Sequence, residues 1–222
     1  MNGAAGLQDA SDPLRFDALD LRRRALERLP SAPPAKTLPA GSIPGGDYAL
    51  SGVPPPAELL SSARPAAVLI PIVARAEATV LLTQRASALR KHSGQIAFPG
   101  GKIDEPGESV LEAALREAQE EIGLAREHVE PVGYLEPYFT GTGYRIAPVV
   151  AIVTPPFELT LNSDEVASAF ETPLAFLMNP TNHQRIVRER DGRRFYAMPY
   201  GGRYIWGATA GIIRLLYEKL YT

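Results

Sequence analysis

Three glutamates, Glu117, Glu120 and Glu121, stand beside Arg116 in the run ESVLEAALREAQEEIGL that begins at Glu108. At about 100° per residue, Leu111, Leu115, Ala118 and Ile122 make one apolar stripe, and the three carboxylates fall roughly 140° from its centre. The spacing predicts a helix from about Glu108 to Ile122, ended by Gly123, with one face packing and the other concentrating negative charge. Glu117 and Glu121 are four apart, which brings their Cβ atoms to about 5–6 Å and costs a few tenths of a kcal/mol in repulsion. They also lie toward the C-terminal end, where the helix dipole disfavours anions. Two unfavourable terms on one turn invite a hard divalent cation such as Mg²⁺, which takes carboxylate, water and phosphate oxygens together. The plainer alternative is a solvated acidic face partly neutralised by Arg116 and Arg126.

These carboxylates need elements that place them. Phe98-Pro99-Gly100-Gly101 closes a short strand, QIAF, and its paired glycines allow a close backbone approach to a ligand. Before it, Arg85, Arg90, Lys91 and His92 put up to four donors into a loop between two strands. Guanidinium groups bind phosphate bidentately, although Arg85 and Arg90 could equally be surface ion-pair partners and His92 a plain loop residue. Strands are expected over AAVLIPIVA, ATVLLTQR, VGYLEPYF, RIAPVVAIV and RFYAMPY. IWGATAGIIRLLYEKL predicts a closing helix with a stripe through Ile205, Ala208, Ile212, Leu215 and Leu216. An amphipathic helix over residues 12–29 is followed by a Pro/Gly-rich segment that no regular element tolerates. The order suits a mixed sheet between helices, an α/β fold, with residues 1–63 as a helical extension and 64–222 as the main domain.

At this point the residues resemble a known family. Glu108, Arg116, Glu117, Glu120, Glu121, Gly123 and Leu124 match the Nudix box at its spacing, with Ala118 in the apolar slot. One departure is that six residues, KIDEPG, separate Gly101 from Glu108 where the box has five, which reads as a loop insertion. The resemblance implies a Nudix α/β/α sandwich. It implies that Glu117 and Glu121 are the principal ligands of Mg²⁺ or Mn²⁺, that Glu120 is a further ligand or the base, and that the Gly101 carbonyl is an additional ligand. It also implies a structural pairing of Glu108 with Arg116. Asn162-Ser163-Asp164-Glu165-Val166 is similar to a loop that supplies a distal glutamate in many members, which makes Glu165 a second candidate base; Glu165 could equally cap a helix over EVASAF.

The segment LLTQRASALRKHSGQIAFPGG, Leu81 to Gly101, resembles the signature of the coenzyme A pyrophosphatase subgroup through Leu81, Leu82, Thr83, Arg85, Ala86, Arg90, Gly94 and Phe98 to Gly101. That implies hydrolysis of coenzyme A, with Arg85, Arg90 and His92 toward the substrate. The rivals are another nucleoside diphosphate compound such as ADP-ribose, and a non-catalytic Nudix-fold module. Tyr138, Phe139, Tyr144 and Tyr204 are candidates to stack on adenine, although aromatics at strand spacing are more often core.

Composition sets outer limits. The chain has 222 residues, no cysteine and a formal net charge of -2, which removes thiolate chemistry, disulfides and cysteine-held metals and gives no basic field for nucleic acid. No apolar run is long enough to span a bilayer, so a cytoplasmic protein with a small-molecule substrate is expected. The resemblance allows a homodimer to which the N-terminal helix contributes.

Overall fold

The computed structural model describes residues 16–34, 45–50, 52, 56–87, 94–103 and 107–222. In chain order its elements are α1 (Ala18–Arg28), α2 (Ala57–Ser62), β1 (Arg64–Val73), β2 (Thr79–Arg85), β3 (Ile96–Ala97), β4 (Gly100–Lys102) and α3 (Val110–Ile122). There follow β5 (Val129–Tyr134), β6 (Tyr138–Phe139), β7 (Tyr144–Val153), β8 (Val166–Pro173), α4 (Leu174–Leu177), β9 (Gln184–Val187), β10 (Arg194–Tyr200), β11 (Arg203–Trp206) and α5 (Ala208–Tyr221).

Strand β1 is a nearly unbroken apolar run because it is covered on both faces. It pairs in parallel with β7 along its whole length, Arg64 opposite Tyr144 to Val73 opposite Val153, and antiparallel with β2 and β4. The order β3-β2-β1-β7-β5, with β8 added to β2, makes a mixed sheet, and β9, β10 and β11 make a second, antiparallel one. On one face Ala113, Ala114, Ala118 and Ile122 of α3 pack on Ala67, Leu69, Val149 and Ala151. On the other, Leu21, Ala25 and Leu29 share a core with Ile70, Leu82, Val150, Ile212 and Leu216. The fold is therefore the expected α/β architecture with helices on both faces of a mixed sheet. The N-terminal helix is part of its core, and each fully buried leucine there contributes about 2 kcal/mol.

Helix α1 begins at Asp17, whose side chain accepts from the Asp20 amide at 2.7 Å; residues 12–15 of the anticipated helix lie outside the described residues. Arg24 and Arg28 donate to the last-turn carbonyl of Leu220 at 3.3 and 3.0 Å, so α1 supplies cations where the α5 dipole is negative. The Pro/Gly segment is held at Asp47, which accepts from Tyr138 Oη and the Gly141 amide, each at 2.8 Å.

Gly211 in α5 faces that buried Tyr138, and a Cβ there would overlap the phenol oxygen. Alanine inside a helix ordinarily gains about 0.5–1 kcal/mol over glycine, but the tyrosine is pinned by Asp47 and forced overpacking costs about 1–3 kcal/mol. Gly211→Ala is expected to lower stability by about 1–2 kcal/mol in urea denaturation; a gain would show that Tyr138 moves freely.

Three local expectations are corrected. EVASAF is not a helix: Val166–Pro173 forms β8 and pairs with β2 from Arg85 to Thr79, because an open strand edge outweighs the weak helix preference of Ala and Glu. Ile205 and Trp206 belong to β11, opposite Met198 and Ala197, and the closing helix starts only after Gly207, whose φ of 65° turns the chain. VGYLEPYF divides into β5 and β6, since Pro137 has no amide to continue the ladder.

Candidate active site

Helix α3 starts at a capping box. Ser109 Oγ accepts from the Glu112 amide at 3.2 Å and Glu112 Oε2 from the Ser109 amide at 2.9 Å, so Glu108 stands just outside the helix. Its other end is closed by Gly123 at φ 69°, whose amide returns to Ala118 and Gln119. A Cβ on Gly123 would also press on the Thr160 amide, at 2.8 Å. Thr160 and Asn162 in turn donate to the carbonyls of Ile122 and Glu121 at 3.0 Å each. The C-terminal turn of α3 is thus stapled to the loop that leads into Glu165.

Arg116 is the hub of the outer side. Its Nε meets Glu108 Oε1 at 2.8 Å and its Nη2 meets Glu108 Oε2 at 3.3 Å, while Nη2 also donates to the Lys102 carbonyl at 3.1 Å. Its Nη1 donates to Glu117 Oε1 at 2.8 Å and Glu120 Oε2 at 3.0 Å. The hydrogen bond to Glu108 holds the guanidinium protonated well above its ordinary range.

The three glutamates do not share one environment. Glu120 is exposed, Glu117 is largely covered, and Glu121 is only 3% exposed. A helical wheel puts all three on a polar face, yet the edge formed by β1 and β4 closes over the last of them: Glu121 Oε2 accepts from the Gly100 amide at 3.1 Å. Loss of water pushes the Glu121 carboxyl up to about 7, against the Gly100 hydrogen bond and the Arg85 charge, with Glu117 and Glu165 adding repulsion. Burial also raises Glu117, with Arg116 opposing and Glu120 and Glu165 reinforcing the rise. Glu165 therefore lies close enough to act on both carboxylates. Its backbone carbonyl accepts from Ala86 at 2.8 Å and its Oε1 from Asn162 Nδ2 at 3.4 Å.

Gly101 sits directly against Glu117, where a Cβ would fall on the carboxylate. Gly100, at φ 153°, packs so closely on β1 that a Cβ would overlap the Ala67 carbonyl oxygen. The extra loop residue has left Gly101 in touch with the glutamate helix. Arg85 follows: its Nη1 is 3.7 Å from Glu121 Oε1, and its Nε is buried with no hydrogen-bond partner among the described residues. Arg90, Lys91 and His92 lie outside the described residues.

Glu117, Glu121, Glu165, Arg85 and Gly101 are thus brought together, with Glu120 exposed at their outer side and sharing Arg116 Nη1 with Glu117. Among the described residues no three carboxylates or imidazoles converge into a ready-made cation cage, because Arg116 and the Gly100 amide engage the oxygens. The donor set nevertheless fits a hard divalent ion: two covered carboxylates, one with its charge suppressed by dehydration, beside a glycine backbone. Of the aromatic candidates, Tyr138 and Phe139 are buried in the core and Tyr144 lies under Arg64 at 4.1 Å, which leaves Tyr204 exposed. No motif marks Gln84 or Arg203, which meet at 3.2 Å on the face of β2 that carries Leu82, opposite that of Leu81 and Arg85. Strand alternation next to Arg85 was the available signal for Gln84, and none marked Arg203.

The family model described as the NUDIX domain matches residues 63–189. The uncharacterized Nudix hydrolase NudL of Citrobacter koseri is 48% identical over 155 residues, covering 69% of this chain and 81% of that relative. Its counterpart in Escherichia coli O7:K1 is 46% identical over the same extent. An Ap4A hydrolase of C. elegans, solved as a binary complex, is 25% identical with a TM-score of 0.43, covering 50% of this chain and 80% of its own. With the family match spanning the glutamate helix and both flanking strands, and with relatives of this identity named Nudix hydrolases, the chain belongs to the Nudix family of hydrolases.

Proposed function

We propose that the chain hydrolyses the diphosphate of coenzyme A, and of acyl or oxidised CoA, to adenosine 3′,5′-bisphosphate and 4′-phosphopantetheine or its derivative. The observation that carries this reading is Arg85. It belongs to the segment that resembles the coenzyme A pyrophosphatase signature, and it stands beside Glu121 with a buried donor nitrogen unpaired. An unmet buried N–H costs about 1–3 kcal/mol, which a phosphate oxygen of the substrate would relieve.

Glu117 and Glu121 would hold Mg²⁺ or Mn²⁺, with Glu120 and the Gly101 carbonyl as further donors. When bound, the ion neutralises charge on the diphosphate and lowers the pKa of the attacking water. Arg116 orients Glu117, and the Gly100 amide orients Glu121. Water forms a bond to one phosphorus as the P–O–P bridge breaks, and the displaced phosphate leaves with the bridging oxygen. The water proton passes to a carboxylate. Glu165 suits that role better than Glu120, because Glu120 is exposed and engaged by Arg116 whereas Glu165 adjoins both covered glutamates.

Steady-state rates with CoA, dephospho-CoA and ADP-ribose test the assignment. CoA is expected to exceed both others by at least about ten-fold in kcat/KM, since a site built for the 3′-phosphate leaves buried donors unpaired without it. Equal turnover of ADP-ribose would move the assignment to another nucleoside diphosphate.

A further inference from the structure

His183 is buried, and it lies outside the glutamate site. It closes the turn Pro180–Asn182 and stands immediately before β9, in the connection that carries the chain from β8 through α4 into the second sheet. That connection is seated by Leu174, Leu177 and Met178, which are fully buried in the core shared with Ile212, Ile213 and Leu216 of α5. A buried imidazole needs a partner for each ring nitrogen, and here both are present.

These partners fix its protonation. Nε2 lies 2.7 Å from the Leu177 carbonyl oxygen, which can only accept, so the ring hydrogen is on Nε2. Nδ1 lies 3.4 Å from Nη1 of Arg214, which can only donate, so Nδ1 is bare. Arg214 is itself held in place: its Nε donates to Glu218 Oε1 at 2.7 Å, and its guanidinium rests on the rings of Tyr217 at 5.2 Å and Tyr196 at 5.6 Å. Tyr217 also meets the imidazole edge-on, at 89° and 5.5 Å. The charged and titratable groups around His183 are Arg214, Tyr217 and Glu218 on α5, Tyr196 on β10 and, over the Tyr196 ring, Arg185 on β9; α4 contributes none. A second ring proton would aim Nδ1–H at the Arg214 N–H and set two positive charges side by side away from water. Burial and the Arg214 charge hold the imidazole below its ordinary 6.5, opposed by the Leu177 carbonyl and Glu218.

We infer that His183 is a pH-sensitive clasp, in which a proton taken from solvent by Nδ1 breaks the contact with Arg214 and frees the connection between β8 and β9 from α5. The neutral ring bridges the carbonyl at the end of α4 to a cation of α5. The charged ring keeps the first contact and loses the second. The unfolded chain binds this proton near pH 6.5 and the folded chain only at lower pH, so the clasp contributes stability above 6.5 that is lost as pH falls. What loosens is β9 and the edge of the second sheet, a local opening that leaves the glutamate helix and the first sheet in place.

Nitrogen NMR of the His183 ring in the full chain with Mg²⁺ should show the Nε2–H form still neutral at about pH 6.5, where a free imidazole is half protonated. Between about pH 7.5 and pH 5, amide hydrogen exchange, corrected for its intrinsic pH dependence, should lose about ten-fold more protection from Met178 to Val187 than in β1 and β7. His183→Gln can still donate to Leu177 and accept from Arg214 but takes no proton, so it should remove that excess. Over the same range the unfolding equilibrium constant of the wild type in urea should rise more than that of the variant, by up to about thirty-fold, the full effect of one proton. A ring already half protonated at about pH 6.5, an Nδ1–H tautomer, a loss of protection spread evenly through the chain, or the same excess in His183→Gln overturns the inference. The NMR and exchange readings use the wild type alone, so they decide the outcome even where the variant does not fold.

Discussion

Replacing Glu121 by glutamine is expected to lower metal-dependent hydrolysis by about 10³-fold and, in the metal-free protein above pH 7, to raise stability. The rate loss corresponds to about 4 kcal/mol, the scale of charge stabilisation contributed by a bound divalent ion. The stability gain comes from burial. In the folded chain the Glu121 carboxyl is lifted from its ordinary 4.5 to about 7, so the folded state holds a proton there that the unfolded chain releases earlier. This contribution is fully present below pH 4.5 and lost as pH rises through 7. The loss amounts to about 3 kcal/mol at pH 8, at about 1.4 kcal/mol per pH unit. Glutamine cannot ionise and keeps an oxygen for the Gly100 amide. Urea denaturation with EDTA at pH 5 and pH 8 should show the variant overtaking the wild type only at the higher pH. A wild type equally stable relative to the variant at both values would mean that Glu121 is hydrated.

The neighbouring glycines are expected to fail in opposite ways. Gly101→Ala places a methyl group on the end of the Glu117 side chain, which can swing aside. The fold should tolerate this, with Tm within about 3 °C of the wild type. Activity should fall about 10²-fold, because a displacement near 1 Å in a positioning group costs that much. Gly100→Ala instead meets backbone, the Ala67 carbonyl and Val68 Cα, at a φ of 153° that side chains avoid. Strain and overlap of this kind cost about 2–3 kcal/mol, so Tm should drop by about 5–10 °C for a chain of this length. Differential scanning fluorimetry beside an assay of adenosine 3′,5′-bisphosphate formation from CoA separates the two outcomes. Full activity in Gly101→Ala would mean that the Glu117 carboxylate is not held where it acts.

The sequence by itself determined the parts whose signals are local. The apolar stripe of α3, its stop at Gly123 and the long buried strands β1, β2 and β7 all follow from periodicity and backbone conformational preference, whereas Gly100 and Gly101, expected to lead into a loop, form β4 against β1. The box spacing placed Glu117, Glu121 and Arg116 on one helix, and the segment before it nominated Arg85. What it could not contain was partner choice. EVASAF favours a helix only until the free edge of β2 is present, and Ile205 and Trp206 join a helix or a strand according to whether β10 lies beside them.

Tertiary structure also decided the electrostatics. A helical wheel treats Glu117, Glu120 and Glu121 alike. Their difference arises because the β1–β4 edge removes water from Glu121, Glu120 stays exposed while Glu117 is covered, and a loop remote in sequence brings Glu165 alongside. A cleft of Gln84, Arg203 and Tyr204 joins residues more than a hundred positions apart across two sheets, which no spacing within a single segment encodes. Sequence specified which groups are available for chemistry; the packing of the two sheets set which of them are dry, charged and adjacent, because desolvation and distance are properties of the assembled fold.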